Sequence, residues 1–360
     1  MNQAARRRVA AWLLACAAMV FAMVVVGGVT RLTKSGLSIV EWQPIVGALP
    51  PLSEADWLAL FDKYKATPEY RSVNLGMTLA GFQRIFWWEY VHRLLGRTIG
   101  LVFLLPLIRF VSQRQIPRAL AGRLAAVFAL GAAQGAMGWY MVKSGLVDDP
   151  RVSPYRLSAH LGLAFAILAP MLWMAFDLLD DGEPSARPTA SPFHRAAAAI
   201  TAATFVMVLS GGFVAGTHAG FAFNTFPLMA GHWVPDGLFV IEPWWRNVFE
   251  NIPLVQFDHR LIATLLAIAI PVLVLRVRTS GDLGPRARRA AGALLGALIL
   301  QVALGLATLL LVVPVSVAAA HQAGAVLLFA ACLWLTHALR PAPATAESAP
   351  PVGPPPPETA

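Results

Sequence analysis

Cysteine is almost absent from this chain of 360 residues, which has two, Cys16 and Cys332, both inside apolar runs. A disulfide framework is excluded, and so is covalent attachment of a prosthetic group through a Cys-x-x-Cys-His site. Charge is scarce too. Asp, Glu, Lys and Arg make up 13% of the chain against 57% hydrophobic residues, a balance outside the range of ordinary soluble proteins. Strict alternation of apolar and polar residues is also missing, which excludes an outer-membrane barrel.

What the chain does have is long, continuous hydrophobicity. A helix needs about 20 apolar residues to cross the hydrocarbon, and eight candidate spans read at roughly 10–29, 93–111, 123–142, 157–177, 196–216, 257–275, 290–312 and 317–339. The expected fold class is an all-α polytopic membrane protein of eight transmembrane helices in two pseudo-symmetric four-helix bundles. The basic start and apolar run of the first segment also suit a signal peptide. No clear small-residue cleavage site precedes Gly27-Gly28, however, and losing the segment would break the repeat described below, so it reads as a retained span.

The net charge of +9 raises the question of nucleic acid, yet the basic residues cluster where short loops meet spans. Arg6, Arg7 and Arg8 precede the first span; Arg109, Arg114, Arg118 and Arg123 bracket the second connection; Arg276, Arg278, Arg286, Arg288 and Arg289 fill the sixth. Membrane lipid explains these positions, and no nucleic-acid partner is expected. By the positive-inside rule these ends are cytoplasmic, with both termini, while the long connections 30–85 and 217–255 face outward. The expected organisation is a cytoplasmic N-terminus at 1–9, an N-terminal bundle at 10–178 carrying the outer loop 30–85, a cytoplasmic linker at 179–195, a C-terminal bundle at 196–339, and a disordered Pro-rich tail at 340–360.

The two halves repeat each other. Gly27-Gly28 and Lys34-Ser-Gly36 match Gly211-Gly212 and His218-Ala-Gly220 at one constant offset. His92-Arg93 and Gln134-Gly-Ala-Met-Gly138 match His259-Arg260 and Gln301-Val-Ala-Leu-Gly305 at a second, and Ser158-Ala-His160-Leu-Gly162 matches Ala319-Ala-His321-Gln-Ala-Gly324. Each half has an even number of spans, so both copies share one orientation and the pseudo-twofold axis runs along the membrane normal. Shared glycines such as Gly138 and Gly305 suggest close helix approach.

Four histidines follow this repeat: His92, His160, His259 and His321, each near the start of an even-numbered span. A ligating side chain inside a membrane is costly without a partner or a task. At one depth near the outer face, expected within a turn or two of each span start, they form two pairs, His92 with His160 and His259 with His321. Facing helices of a bundle commonly hold a cofactor in this way, and axial imidazole is a standard heme ligand. A zinc or di-iron site needs more ligands than the few acids nearby supply. Arg31, Lys34, Arg93, Arg97 and Arg260 are candidate contacts for heme propionates, although snorkelling to the headgroups would place them equally well. His194, His218, His232 and His337 do not share the pattern.

The copies differ at one position beside the first histidine of each pair. Glu89 precedes His92 by the same spacing as Gln256 precedes His259, on the same helix face. A carboxylate can accept a proton or stabilise positive charge, and an amide cannot ionise. One pocket is therefore expected to do chemistry and the other to hold a permanent electron-transfer heme. In the first outer loop, Ser53-Glu-Ala-Asp56 has the form of a capping box followed by a helical stripe at Trp57, Leu58, Leu60, Phe61 and Tyr64. A second stripe, Leu75, Leu79, Phe82 and Phe86, leads into Trp87-Trp88 and suggests an interfacial helix feeding the second span.

Gly27-Gly-Val-Thr-Arg-Leu-Thr-Lys-Ser-Gly-Leu-Ser-Ile-Val-Glu-Trp42, Pro44, Pro50-Pro51, Tyr64-Lys-Ala-Thr-Pro-Glu-Tyr70 and Glu89-Tyr-Val-His-Arg-Leu-Leu-Gly-Arg97 together resemble the heme A synthase family, over about residues 10–338. They look most like its alphaproteobacterial and mitochondrial branch. The resemblance implies an eight-helix oxidoreductase of the bacterial inner membrane that converts heme O to heme A, oxidising the C8 ring methyl to a formyl group for cytochrome c oxidase. It also implies heme b as cofactor on His259 and His321, the substrate heme on His92 and His160, and Glu89 as a catalytic residue. Heme O synthase, an electron donor and further copies of the chain are the expected partners. Some family members carry an outer-loop cysteine pair that this chain lacks. The rival reading is a non-enzymatic bis-histidine diheme electron carrier, and a transporter ranks third because the spans do not read as broken at the midplane.

Overall fold

The computed structural model describes residues 1–41, 46–145, 152–180 and 192–341. Most of the expected linker at 179–195 and of the tail at 340–360 lies outside the described residues. Among the described residues, eight helices are long and apolar enough to cross a membrane. They are α1 (Gln3–Leu32), α4 (Leu79–Ser112), α5 (Arg118–Gly145), α6 (Pro154–Leu179), α7 (Pro192–Gly216), α9 (Ile252–Thr279), α10 (Pro285–Leu310) and α11 (Val315–Ala338). The outer loops add the short helices α2 (Glu54–Lys65), α3 (Pro68–Ser72) and α8 (Asn247–Glu250). Every expected span is present and no strand occurs among the described residues, so the chain is an all-α polytopic membrane protein.

Local chemistry sets the helix starts. Side chains of Asn2, Thr78 and Asn251 accept hydrogen bonds from the backbone of Ala5, Gly81 and Leu254, and proline stands at the first or second position of α6, α9 and α10. The capping box forms as expected, with Asp56 N–H donating to Ser53 Oγ at 3.1 Å and Ser53 N–H donating to Asp56 Oδ2 at 3.0 Å. Pro106, Pro170 and Pro271 lie within continuous α4, α6 and α9.

The stretch before the second span is not a separate interfacial helix. With no breaker after the Thr78 cap, α4 runs unbroken from Leu79, so His92 sits roughly three and a half turns inside it, deeper than expected from its span. His160, His259 and His321 lie within about two turns of their helix starts. The added length of α4 gives α2 a surface to dock on. Phe61 and Tyr64 stack on Phe82 at 5.1 and 5.3 Å, and Trp57 meets Phe86 edge-on at 4.9 Å. The aromatic stripe of α2 is thus spent on this docking rather than on lipid.

In the N-terminal half, α1, α4, α5 and α6 close a ring, and in the C-terminal half α7, α9, α10 and α11 close its counterpart. Between halves α6 meets α7, α1 meets α11 and α6 meets α11. Exchanging the halves maps the first of these contacts onto the second, as a pseudo-twofold axis requires. The repeated turn after the first helix of each half also keeps its shape, with Lys34 and His218 both left-handed at φ of 52° and 60°. On α9, Leu261, Leu265, Ile268, Val272 and Leu275 recur at helical spacing and are exposed, forming an apolar face suited to hydrocarbon.

At the arginine-rich end the halves are joined by charge. Arg6 of α1 donates to the carbonyls of Asp177, Leu178 and Asp180 at the end of α6. Asp180 pairs with Arg286 of α10 at 2.7 Å and with Arg340 at 3.0 Å, while Asp177 pairs with Arg340 and with buried His337. Two carboxylates at a helix C-terminus oppose its dipole, and these cations offset that cost. His337, set aside in the sequence, serves here as a structural link.

The α6–α7 contact depends on small residues. A Cβ on Gly212 would lie 2.9 Å from Ser158 Cα, whereas one on Gly292 would meet nothing within 4 Å. Gly212→Ala should therefore destabilise the protein by about 1–3 kcal/mol, while Gly292→Ala should be neutral or slightly stabilising. Unfolding of the two variants in detergent checks this contrast.

Candidate functional site

Each repeated histidine rests on a glycine of a neighbouring helix. A Cβ added at Gly27 of α1 would stand 3.0 Å from His92 Nε2, and one at Gly138 of α5 would stand 3.3 Å from His160 Cε1. In the other half, Gly211 of α7 faces His259 Cε1 at 3.3 Å and Gly305 of α10 faces His321 Cε1 at 2.9 Å. These glycines make room for imidazole rings. Close helix approach, expected of Gly138 and Gly305, belongs instead to positions such as Gly212.

The rings are brought together in the expected pairs: His92 lies within electrostatic reach of His160, and His259 within reach of His321. Nδ1 of His160 and of His321 is buried without a hydrogen-bond partner. Gln134 donates to the His160 carbonyl at 3.0 Å and holds that turn of α6 against α5. His259 differs from its counterparts, since its Nδ1 lies 3.1 Å from Ser210 Oγ. The matching residue in the first half is Val26, so His92 has no such hydroxyl. A hydrogen bond at one ring nitrogen fixes the orientation and leaves the other nitrogen for a metal. Ser210 was legible only as the residue before a repeated Gly-Gly, at the one step where the copies differ in polarity.

Beside each first histidine, an i, i+4 pair ties the helix to the outer loop. Glu89 is 2% exposed. Its Oε2 accepts from Ser38 Oγ at 2.7 Å and from the Ile39 N–H at 2.8 Å, and its Oε1 pairs with Arg93 at 2.5 Å. Arg93 also donates to the carbonyls of Ile39 and Glu41. In the other half Gln256 donates to the Ala219 carbonyl at 2.8 Å and accepts from Arg260, which donates to the carbonyls of Phe223 and Thr225. The acid and the amide thus hold loops of opposite polarity, donors facing Glu89 and a carbonyl facing Gln256. This structural task stands beside any chemical one.

Of the candidate propionate contacts, Arg93 and Arg260 are largely committed to these loops. Arg31, in the last turn of α1, has neither an ion pair nor a side-chain hydrogen bond among the described residues, and its repeat partner is Ala215. Lys34 lies in the turn beyond it, and Arg97 one turn after Arg93 on α4. Among the described residues no group of three or more His, Cys, Asp and Glu side chains is placed to hold a metal ion. Two imidazoles per half, each seated against a glycine, suit instead a metal-centred group that needs only two protein ligands.

Fold and site together define a class: a polytopic membrane protein with two repeated histidine-pair sites near one end of its bundles. Residues 10–333 match the family model of the COX15–CtaA cytochrome oxidase assembly proteins. The chain is 59% identical over 338 residues to a heme A synthase of Nitrosospira multiformis, covering 94% of this chain and 95% of that one. It is 49% identical to a heme A synthase of Rhodospirillum centenum, covering 94% and 90%, and 46% identical to the heme A synthase COX15 of Arabidopsis thaliana, covering 97% and 78%. The chain belongs to the COX15–CtaA family.

If the glycines exist to seat the rings, Gly305→Val should tip His321 and lower heme retention about tenfold, since overpacking of this kind amounts to roughly 1–3 kcal/mol. Gly296→Val, where a Cβ meets nothing within 4 Å, should retain heme as the parent does. The heme-to-protein ratio after purification measures both.

Proposed function

We propose that this protein is a heme A synthase that oxidises the C8 methyl group of heme O to a formyl group. The observation that carries this reading is the asymmetry between two otherwise matching histidine pairs, taken with the family to which the chain belongs. His259 and His321 hold a permanent heme b, and Ser210 fixes the His259 ring for that task. His92 and His160 hold heme O as substrate, in the half that has Glu89 and lacks the orienting hydroxyl. When bound, heme b supplies an iron centre that accepts and passes on electrons.

The residues around the substrate position do the rest. Arg93, Ser38 and the Ile39 N–H donate to both oxygens of Glu89 and fix its carboxyl in a buried place. A carboxylate fixed in this way favours positive charge developing at the methyl carbon. The docked loop of α2 and α3 roofs this half and limits water. Two successive two-electron oxidations by an external oxidant would each replace one C–H bond of the methyl carbon with a C–OH bond, and the doubly hydroxylated carbon would then lose water to leave the formyl group. Arg31 is the residue best placed to meet a propionate. The histidine ends face the periplasm and the arginine-rich ends the cytoplasm, in the bacterial inner membrane, with heme O synthase and an electron donor as partners.

The purified protein should show a low-spin b-type spectrum that His259→Ala or His321→Ala removes. Retention of bound, low-spin heme in both variants would overturn the cofactor assignment. Glu89→Gln should keep this spectrum yet fail to yield heme A when expressed with a heme O source. Gln presents an amide to donors that now face a carboxylate, so some loss of stability, of the order of 1–3 kcal/mol, accompanies it. Near-normal heme A from this variant would remove Glu89 from the chemistry.

A further inference from the structure

A second buried carboxylate lies under the outer loop of the same half. Glu69, at the start of α3, is 5% exposed and has no cation paired with it among the described residues. Its Oε2 accepts from the Tyr64 hydroxyl at 3.3 Å, and that hydroxyl accepts from the Asn74 amide at 2.7 Å. Glu69 and Tyr64 are both buried and Asn74 is half-buried, so the hydrogen-bonded group reaches from the interior towards the surface. Glu89 is close enough for its charge to act on both Glu69 and Tyr64.

We propose that Glu69 is the proton-exchanging group of the N-terminal half, taking up a proton from the outer medium and returning it there beside Glu89, while the hydrogen bonds of Tyr64 and Asn74 hold its carboxyl in place. Resting on the heme A synthase reading for its use, it assigns Glu69 as a positioning residue that acts through Glu89. The two acids divide the work because their partners differ. Glu89 has three donors, including a guanidinium, on its two oxygens. Glu69 has one long hydrogen bond from a phenol and can take up or release a proton by moving little else: carboxylate plus proton gives the acid, with no other bond changed.

The electrostatics agree. Burial, and then the charge of Glu89, push the Glu69 carboxyl up to about 7, with the Tyr64 hydroxyl and the Lys34 ammonium opposing them. Those are the titratable and charged groups that act on it, from α2, from α4 and from the turn after α1. An unfolded chain holds the same carboxyl at about 4.3. Folded Glu69 therefore keeps its proton to higher pH than the unfolded chain, so stability is lost as pH rises from about 4.3 to about 7 and changes no further from this group above that. A buried acid that costs stability at working pH is accounted for by a task.

Infrared titration of the full-length protein in lipid nanodiscs tests this without turnover. A carboxylic-acid C=O band should titrate near pH 7, vanish in Glu69→Gln, and persist in Glu89→Gln with its midpoint moved down, because a like charge is gone. Tyr64→Phe should move the midpoint up by removing a donor to the ionised form, which keeps the assignment testable should Glu69→Gln fail to fold. Heme A formation by the parent should fall as pH drops through about 7, and Glu69→Gln should be slow throughout without that limb. A band that survives Glu69→Gln, one that disappears in Glu89→Gln, a midpoint unmoved by Tyr64→Phe, or no titrating band at all would each overturn the proposal. Failure to make heme A with the band assigned as expected would instead count against the enzymatic reading.

Discussion

An imidazole inside a bilayer needs room and a partner, and the structure is arranged around meeting that need four times. Each ring lies against a glycine of an adjacent helix, because any Cβ at Gly27, Gly138, Gly211 or Gly305 would stand within 3.3 Å of it. Small residues at those points seat the rings, while glycines such as Gly212 permit the close helix crossings. The rest of the fold serves this arrangement: the ring of helices in each half, the α6–α7 contact over Gly212, and the charge cluster of Asp177 and Asp180 at the far end. An unpartnered ring nitrogen inside protein costs roughly 1–3 kcal/mol. Such a cost, met at both His160 and His321 among the described residues, would be offset if these histidines held a metal, as proposed above.

Duplication then allowed the halves to diverge without losing the frame. The loop after α1 presents donors to Glu89, while the loop after α7 presents a carbonyl to Gln256, yet both are clamped by an arginine one turn further on. One exchange of acid for amide alters charge at one site and leaves the shape of both. Ser210 against Val26 alters the second half in a matching sense, giving His259 a hydroxyl partner for which Val26 offers His92 no counterpart. A resident cofactor gains from a fixed ligand, and a substrate that must enter and leave gains from a looser one.

Much of this was legible in the sequence because the membrane leaves few choices. Eight apolar runs could only be helices, since lipid offers backbone groups no other partners, and the histidine pairs followed from the repeat. The length of α4 was not legible: polar and aromatic residues at 79–92 read as an interfacial segment, and only the docking of Phe61, Tyr64 and Trp57 shows why that stretch continues the helix. The roles of the glycines were half legible, as a repeat, but whether each faces a ring or a backbone depends on rotations that spacing does not specify. Glu69 and Ser210 escaped notice because neither is repeated. Their chemistry lies in what tertiary packing sets beside them.

The central claim is that two matching pairs hold hemes of different fates. It is tested most directly by extracting and mass-identifying the hemes of the purified protein expressed with and without a heme O source, in the parent and in His92→Ala. The account predicts a constant amount of heme b in all samples, and heme O, its oxidised intermediate or heme A only in the parent supplied with heme O. Two equivalents of unmodified heme b whatever the supply, lost in part in His92→Ala, would contradict it and describe a diheme electron carrier.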